Sequence, residues 1–194
     1  MDDKIDLRIQ KTQNSLIQAL QQLLAQKNFD EITVTELCNK AQTRKATFYK
    51  HFMDKDDLFT FMIQNLQEEY ESEHEKQYED GDLNAFYSGI LSYTLDFLEE
   101  HESMVDKILD SKSRSRLMDL ISQQVFSDLK FHLIKDHKKG LLTFCPEYLA
   151  SIFTGALVDG ACYWIKNKDK LTKEDAVNQC LKIISSVYAT SNGD

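Results

Sequence analysis

Between residues 33 and 52 the chain reads Thr-Val-Thr-Glu-Leu-Cys-Asn-Lys-Ala-Gln-Thr-Arg-Lys-Ala-Thr-Phe-Tyr-Lys-His-Phe. Its polar side chains are of the types that bind polyanions. From Lys40 to Phe52 there are four Lys or Arg and no Asp or Glu, in a chain of formal net charge -9. Guanidinium and ammonium groups pair with phosphate oxygens or guanine edges, while Thr and Tyr hydroxyls and His ring nitrogens reach phosphates. A solvated basic helix in any small helical domain would have the same composition, so charge alone leaves both readings open.

Two short helices position these groups. Thr33 followed by Glu36 is a capping box, which starts a helix by satisfying two backbone amides. Val34, Leu37, Cys38 and Ala41 give that helix one apolar face. The pattern breaks at Gln42 and Thr43. A second helix then places Phe48 and Phe52 one turn apart and inward, with Arg44, Lys45, Thr47, Tyr49, Lys50 and His51 on its other face.

The order of residues is more specific than their charge. Residues 29–58 resemble the DNA-binding domain of TetR-family transcriptional regulators. The resemblance rests on Phe29, Thr33-Val34, Leu37-Cys38-Asn39-Lys40-Ala41, Thr47-Phe48-Tyr49-Lys50-His51-Phe52 and Lys55-Asp56-Asp57-Leu58. Three positions depart from the family pattern: Gln42 stands where Gly is usual, Thr43 where Val or Ile is usual, and Arg44 where Ser or Asn is usual. Gln42 then needs a turn that tolerates a side chain, and Thr43 is the expected replacement cap for the third helix. The resemblance implies that Thr43, Arg44, Lys45 and Thr47 lie nearest base edges. It also implies that Thr33, Tyr49, His51 and Lys55 grip phosphates.

Composition supports an all-α chain: 42% of the 194 residues are hydrophobic, and there are one Pro and six Gly. The four cysteines, Cys38, Cys145, Cys162 and Cys180, are widely spaced and have no paired histidines, so neither a zinc site nor a disulfide framework is expected. The first residues lack a signal peptide's basic-then-apolar order. Residues 148–165 are the most apolar stretch but contain Asp159 and are barely long enough to span a bilayer, so a soluble, cytoplasmic protein is expected. Charge is uneven. Residues 8–52 hold seven Lys/Arg against three acids, and the rest of the chain holds 16 against 29, which suits a basic end on an acidic body.

The periodicity predicts a helix over about 7–26, with Leu16, Leu20, Leu23 and Leu24 inward and Asn28 as a left-handed cap. A helix from Lys55 to about residue 80 follows, its distal part merging into the acidic run 68–82. Further helices are expected over 83–100, 102–109 and 115–139, the last stopped by Gly140. Pro146 opens a helix running to about 167, and Thr172 opens the final one. The expected architecture is a three-helix helix-turn-helix head, residues 1–54, and a bundle of about six helices, residues 55–194. In the bundle, Phe153-Thr154-Gly155, Trp164-Ile165 and Leu171-Thr172 are similar to the C-terminal region of Firmicutes-type TetR members. That likeness implies a homodimer paired through the last two helices, at Phe153, Ala156, Leu157, Gly160, Trp164, Cys180, Ile183, Ile184 and Val187.

The expected function is a sequence-specific transcriptional regulator, a ligand-released repressor acting as a homodimer on palindromic double-stranded DNA. Tyr87, Tyr93, Phe97, His132 and Trp164 are candidate linings for an effector pocket, although aromatics at helical spacing also serve as plain core. The alternative is a helical co-regulator acting through a protein partner. No nucleophile elbow, phosphate-cradling glycines or metal-ligand spacing is present, so no enzyme, cofactor or metal is expected. His74 and Cys145 are the faintest exceptions.

Overall fold

The structure, a computed structural model, describes residues 2–66 and 83–191. The acidic run 68–82, with His74, lies outside them. The elements are α1 (Asp2–Leu24), a 3-10 turn (Phe29–Glu31), α2 (Val34–Lys40), α3 (Lys45–His51), α4 (residues 55–66), α5 (Leu83–Glu100), α6 (Glu102–Leu109), α7 (Arg114–Lys138), α8 (Pro146–Lys166) and α9 (Lys173–Ser191). No strand occurs among the described residues, and the all-α class expected from composition is the one observed.

Helix ends follow local chemistry. The Thr33 hydroxyl accepts the Glu36 N–H at 3.2 Å, and the Glu36 carboxylate accepts the Thr33 N–H at 3.0 Å, completing the capping box. Gly140, at φ 76°, stops α7 in the left-handed conformation that glycine adopts without steric cost. Pro146 sits in the first turn of α8, and Thr172 accepts the Asp175 N–H at 3.1 Å to start α9.

Two local expectations are corrected. Asn28 is extended, at φ -64° and ψ 149°, because the chain leaves α1 through the 3-10 turn; Glu31 N–H closes back on the Asn28 carbonyl at 3.0 Å. Thr43 does not cap α3. Its backbone N–H donates to Cys38 O at 2.9 Å, and Arg44 takes the N-cap position without a side-chain hydrogen bond. The left-handed residue is instead Gln42, at φ 52°, in the turn between α2 and α3.

The chain forms two compact units. The first takes residues 2–66 with 101–120, and the second takes 83–100 with 121–191. In the first, α1 packs on α2 and α6, and α2 packs on α3. Leu16, Leu20, Leu24, Phe29, Ile32, Leu37, Phe48, Leu58, Phe59 and Met62 are fully buried, joined by Met104, Val105, Ile108, Leu109 and Leu117. Phe29 meets Phe59 edge-on with centroids 5.7 Å apart, and Phe52 lies 5.7 Å from Phe48 and 5.3 Å from Phe61. Such aromatic pairs each add about 0.5–1.5 kcal/mol beyond their burial.

In the second unit α5 packs on α8 and α9. Tyr87 is packed by Ile90, Tyr93, Leu181, Ile184 and Tyr188. Leu133, Leu142, Leu149 and Ala150 form another cluster, packed by Phe126, Leu129, Phe153 and Val187. Asp136 is fully buried, and the hydroxyls of Tyr87 and Tyr188 both donate to its carboxylate. Burial first, and then these neighbours, push both phenols well above their usual range.

Gln42→Gly relieves a left-handed strain of roughly 1–2 kcal/mol, partly offset by glycine's greater freedom when unfolded, roughly 0.5–1 kcal/mol. Thermal unfolding should show a net stabilisation on the order of 0.5 kcal/mol. Glu36 also accepts from the Lys27 ammonium, and this bond, followed by those from Thr33, holds its carboxyl down at about 2. A depressed folded value means stability that is full above the unfolded value of 4.5 and lost as pH falls toward about 2. Glu36→Gln should therefore lower stability at neutral pH and flatten its decline over that acid window, read by denaturant titration at several pH values.

Candidate nucleic-acid interface

The burial of Phe48 and Phe52 fixes which way α3 faces. With those rings inward, Arg44, Lys45, Ala46, Tyr49 and Lys50 are exposed on the other side, and Tyr49 is 58% exposed although its ring rests edge-on against Phe48 at 5.3 Å. Thr43, Thr47 and His51 are half-buried at the margins, and the His51 ring contacts Phe52. Lys40 is exposed at the end of α2, and Arg8 and Lys11 are exposed on α1. No carboxylate lies within α3, and its last turn carries Lys50 and His51. The outward face thus offers cations, a phenol and one bare methyl group.

That methyl group, Ala46, is absent from the expected contacts because alanine advertises neither charge nor hydrogen bonding. Its only signal is position: it sits between Lys45 and Thr47 on a helix whose aromatic residues are spent inward. An exposed small side chain allows close backbone approach, and its methyl suits the thymine C5-methyl group. Met53, 82% exposed just beyond α3, was missed in the same way.

Two expected phosphate ligands are engaged within the protein. The Thr33 hydroxyl donates to Glu36 at 2.9 Å while accepting from its N–H. Lys55 lies where α4 begins, and its ammonium donates to the carbonyls of Phe29 at 2.7 Å, Ile32 at 3.0 Å and Asp30 at 3.4 Å, over the Phe29 ring at 4.5 Å. Burial lowers its pKa. The nearby amides are also taken: Asp54 accepts from the N–H groups of Asp56 and Asp57, and Asp57 accepts from that of Met53. The arrangement makes Lys55 a tie between α4 and the 3-10 turn.

The candidate pocket residues are not gathered into one cavity. Tyr87 and Tyr93 pack together, with the Tyr87 hydroxyl held by Asp136 and Tyr188. His132 and Trp164 are buried and Phe97 is half-buried. An open groove of about 840 Å³ runs along α9, lined by Asp175, Asn178, Gln179, Leu181, Lys182, Ser185 and Ser186, none of them among the five.

The candidate pairing residues divide in two. Trp164 is 2% exposed inside its own unit, while Phe153, Val187 and Ile184 pack on the core clusters, and Leu157 and Cys180 are half-buried. Ala156, Gly160 and Ile183 face outward, with Tyr148, Ile152, Gly155 and Tyr163. A Cβ placed on Gly155 or Gly160 would meet nothing within the chain. Helix α8, 21 residues of mean hydropathy 1.2, is long and apolar enough to cross a membrane by that measure alone.

Known proteins share this plan. Residues 16–60 match the model described as bacterial regulatory proteins, tetR family, and residues 87–186 match a transcriptional regulator C-terminal region. An uncharacterized HTH-type transcriptional regulator of Bacillus subtilis is 36% identical over 64 residues, which cover 32% of this chain and 17% of that protein. A TetR-family regulator structure from Rhodococcus sp. superposes with a TM-score of 0.67 at 16% identity, covering 92% of this chain and 99% of that one. One from Syntrophomonas wolfei gives 0.68 at 13% identity, covering 93% and 96%. NalD, the secondary repressor of the MexAB-OprM multidrug efflux pump in Pseudomonas aeruginosa, gives 0.59 at 13% identity, covering 92% and 96%. With a helix-turn-helix head matched at one end and a regulator C-terminal region matched over most of the remainder, the chain belongs to the TetR family of bacterial transcriptional regulators.

Proposed function

We propose that this regulator represses transcription as a homodimer on a palindromic operator and is released by a small molecule. The observation that carries the DNA-facing part is the outward face of α3, where Arg44, Lys45, Ala46, Tyr49 and Lys50 are exposed on a helix pinned from behind by Phe48 and Phe52. In this reading Arg44 and Lys45 reach guanine edges, Ala46 meets a thymine methyl, and Thr43 and Thr47 border the bases. Tyr49, His51 and Lys50 hold phosphates, with Thr33 at the start of α2 beside them. Lys55 acts from within by holding α4 to the 3-10 turn.

Pairing supplies the second head. The exposed stripe of Tyr148, Ile152, Gly155, Ala156, Gly160 and Tyr163 on α8, with Ile183 on α9, fits the same stripe of a second copy. The two glycines and Ala156 let helices approach closely, and the larger side chains flank them. A symmetric pair would present two α3 helices to successive major grooves. This pairing also accounts for the apolarity of α8 without a bilayer. An effector that binds one spacing of the heads better than the other shifts the balance by its difference in affinity.

Selection from randomised duplexes at two salt concentrations tests the reading; recovery of two-fold symmetric sites supports it, and recovery of no preferred sequence contradicts it. On a selected duplex, Arg44→Ala should weaken binding about 5–150-fold and relax preference at one position of each half-site, the range for losing a bidentate base contact of about 1–3 kcal/mol. Tyr49→Phe, missing only a hydroxyl, should weaken all duplexes alike. Ala156→Arg places a charge in the proposed pairing face, and sedimentation equilibrium should show a folded monomer where the unaltered chain is a dimer.

A further inference from the structure

The DNA-binding head of this chain includes a piece of sequence some fifty residues beyond it. The corner between α6 and α7 lies against the 3-10 turn and the start of α4. Ser113 donates both its N–H, at 3.2 Å, and its hydroxyl to the Asp30 carboxylate. These bonds, led by that from the hydroxyl, lower the Asp30 pKa. Arg116 pairs with Asp56 at 3.0 Å, donates to the Ser113 hydroxyl oxygen at 3.2 Å, and lies 5.9 Å from the Phe29 ring centroid. Beneath these polar contacts Met104, Val105, Ile108, Leu109 and Leu117 are buried in the same unit as Phe29 and Phe59.

Two features make this more than a surface contact. Asp30 lies in the 3-10 turn that delivers the chain into α2, and Asp56 follows the lysine that ties α4 to that turn. The corner therefore holds the same two elements that Lys55 joins, from the other side. Neither Asp30 nor Asp56 is on the outward face of α3.

We infer that Ser113 and Arg116 are positioning residues for DNA binding, setting the placement of α2 and α3 through Asp30 and Asp56 without touching the duplex. The inference rests on the DNA-binding reading above. It means that α7, whose residues 114–120 belong to the first unit and 121–138 to the second, carries its N-terminus as a structural part of the head. A rearrangement that withdrew this corner would loosen the head without any change in the residues facing DNA.

The test measures affinity for a selected duplex against salt, together with amide exchange in the full chain. Ser113→Ala should weaken binding about threefold, leave the slope of log affinity against log salt unchanged, and speed exchange over residues 29–37; a lost phosphate contact would instead reduce that slope by about one. Arg116→Glu should weaken binding about fivefold or more, and Asp56→Arg combined with Arg116→Glu, which keeps the net charge, should recover most of the loss. Arg116→Lys should bind nearly as the unaltered chain does. If Arg116→Glu does not fold, the Ser113→Ala and Arg116→Lys results decide. Unchanged affinity and exchange in Ser113→Ala, or a paired exchange that binds no better than Arg116→Glu alone, overturns the inference while the DNA-binding reading stands. If the unaltered chain selects no duplex, the reading falls and this inference falls with it.

Discussion

The burial of four phenylalanines in the first unit is the constraint on which the rest depends. Phe29, Phe48, Phe52 and Phe59 are removed from water, and each such burial contributes roughly 1.5–3 kcal/mol. Helix α3 is only seven residues long and could not hold its shape in isolation. Its orientation comes from Phe48 and Phe52. Once those rings are inward, the helical repeat leaves Arg44, Lys45, Tyr49 and Lys50 no place but the surface. The charge pattern facing DNA is thus a consequence of aromatic packing on the opposite side.

Polar ties hold what the rings orient. Lys55 gives its ammonium to carbonyls of the turn between α1 and α2, where burial of the Phe29 and Ile32 side chains leaves backbone acceptors to be satisfied. In the second unit, Asp136 does similar work for α5, α7 and α9 by accepting from Tyr87 and Tyr188. Removing a phenol from a buried carboxylate typically costs more than the hydrogen bond itself contributes, because the charge stays behind unsolvated. The family's ability to vary its C-terminal region is compatible with such a knot only if the helices it joins move together.

Much of the fold was legible from sequence because its signals are local. A Thr–Glu capping box, a proline at a first turn, a glycine stop and apolar residues at helical spacing each act within a few positions, and the helices they mark are where they were expected. The departures arise where several local solutions compete. At Asn28 a 3-10 closure replaced a left-handed cap, and the left-handed residue appeared at Gln42, where the family pattern has glycine. The polarity of α3 was legible, but the internal use of Lys55 was not: its three carbonyl partners lie 23–26 residues away and carry no sequence signature. Trp164 reads equally well as core or surface on a helical wheel. Only packing places it inside, and only packing brings Ser113 to Asp30.

The most direct test of the central claim is hydrogen–deuterium exchange of the full chain with and without a selected duplex. The account predicts new protection over residues 33–51, greatest in the first turn of α3, with the buried segments around Leu20 and Phe59 already protected and unchanged. Protection confined to α5, α8 or α9, with none over α2 and α3, would contradict it.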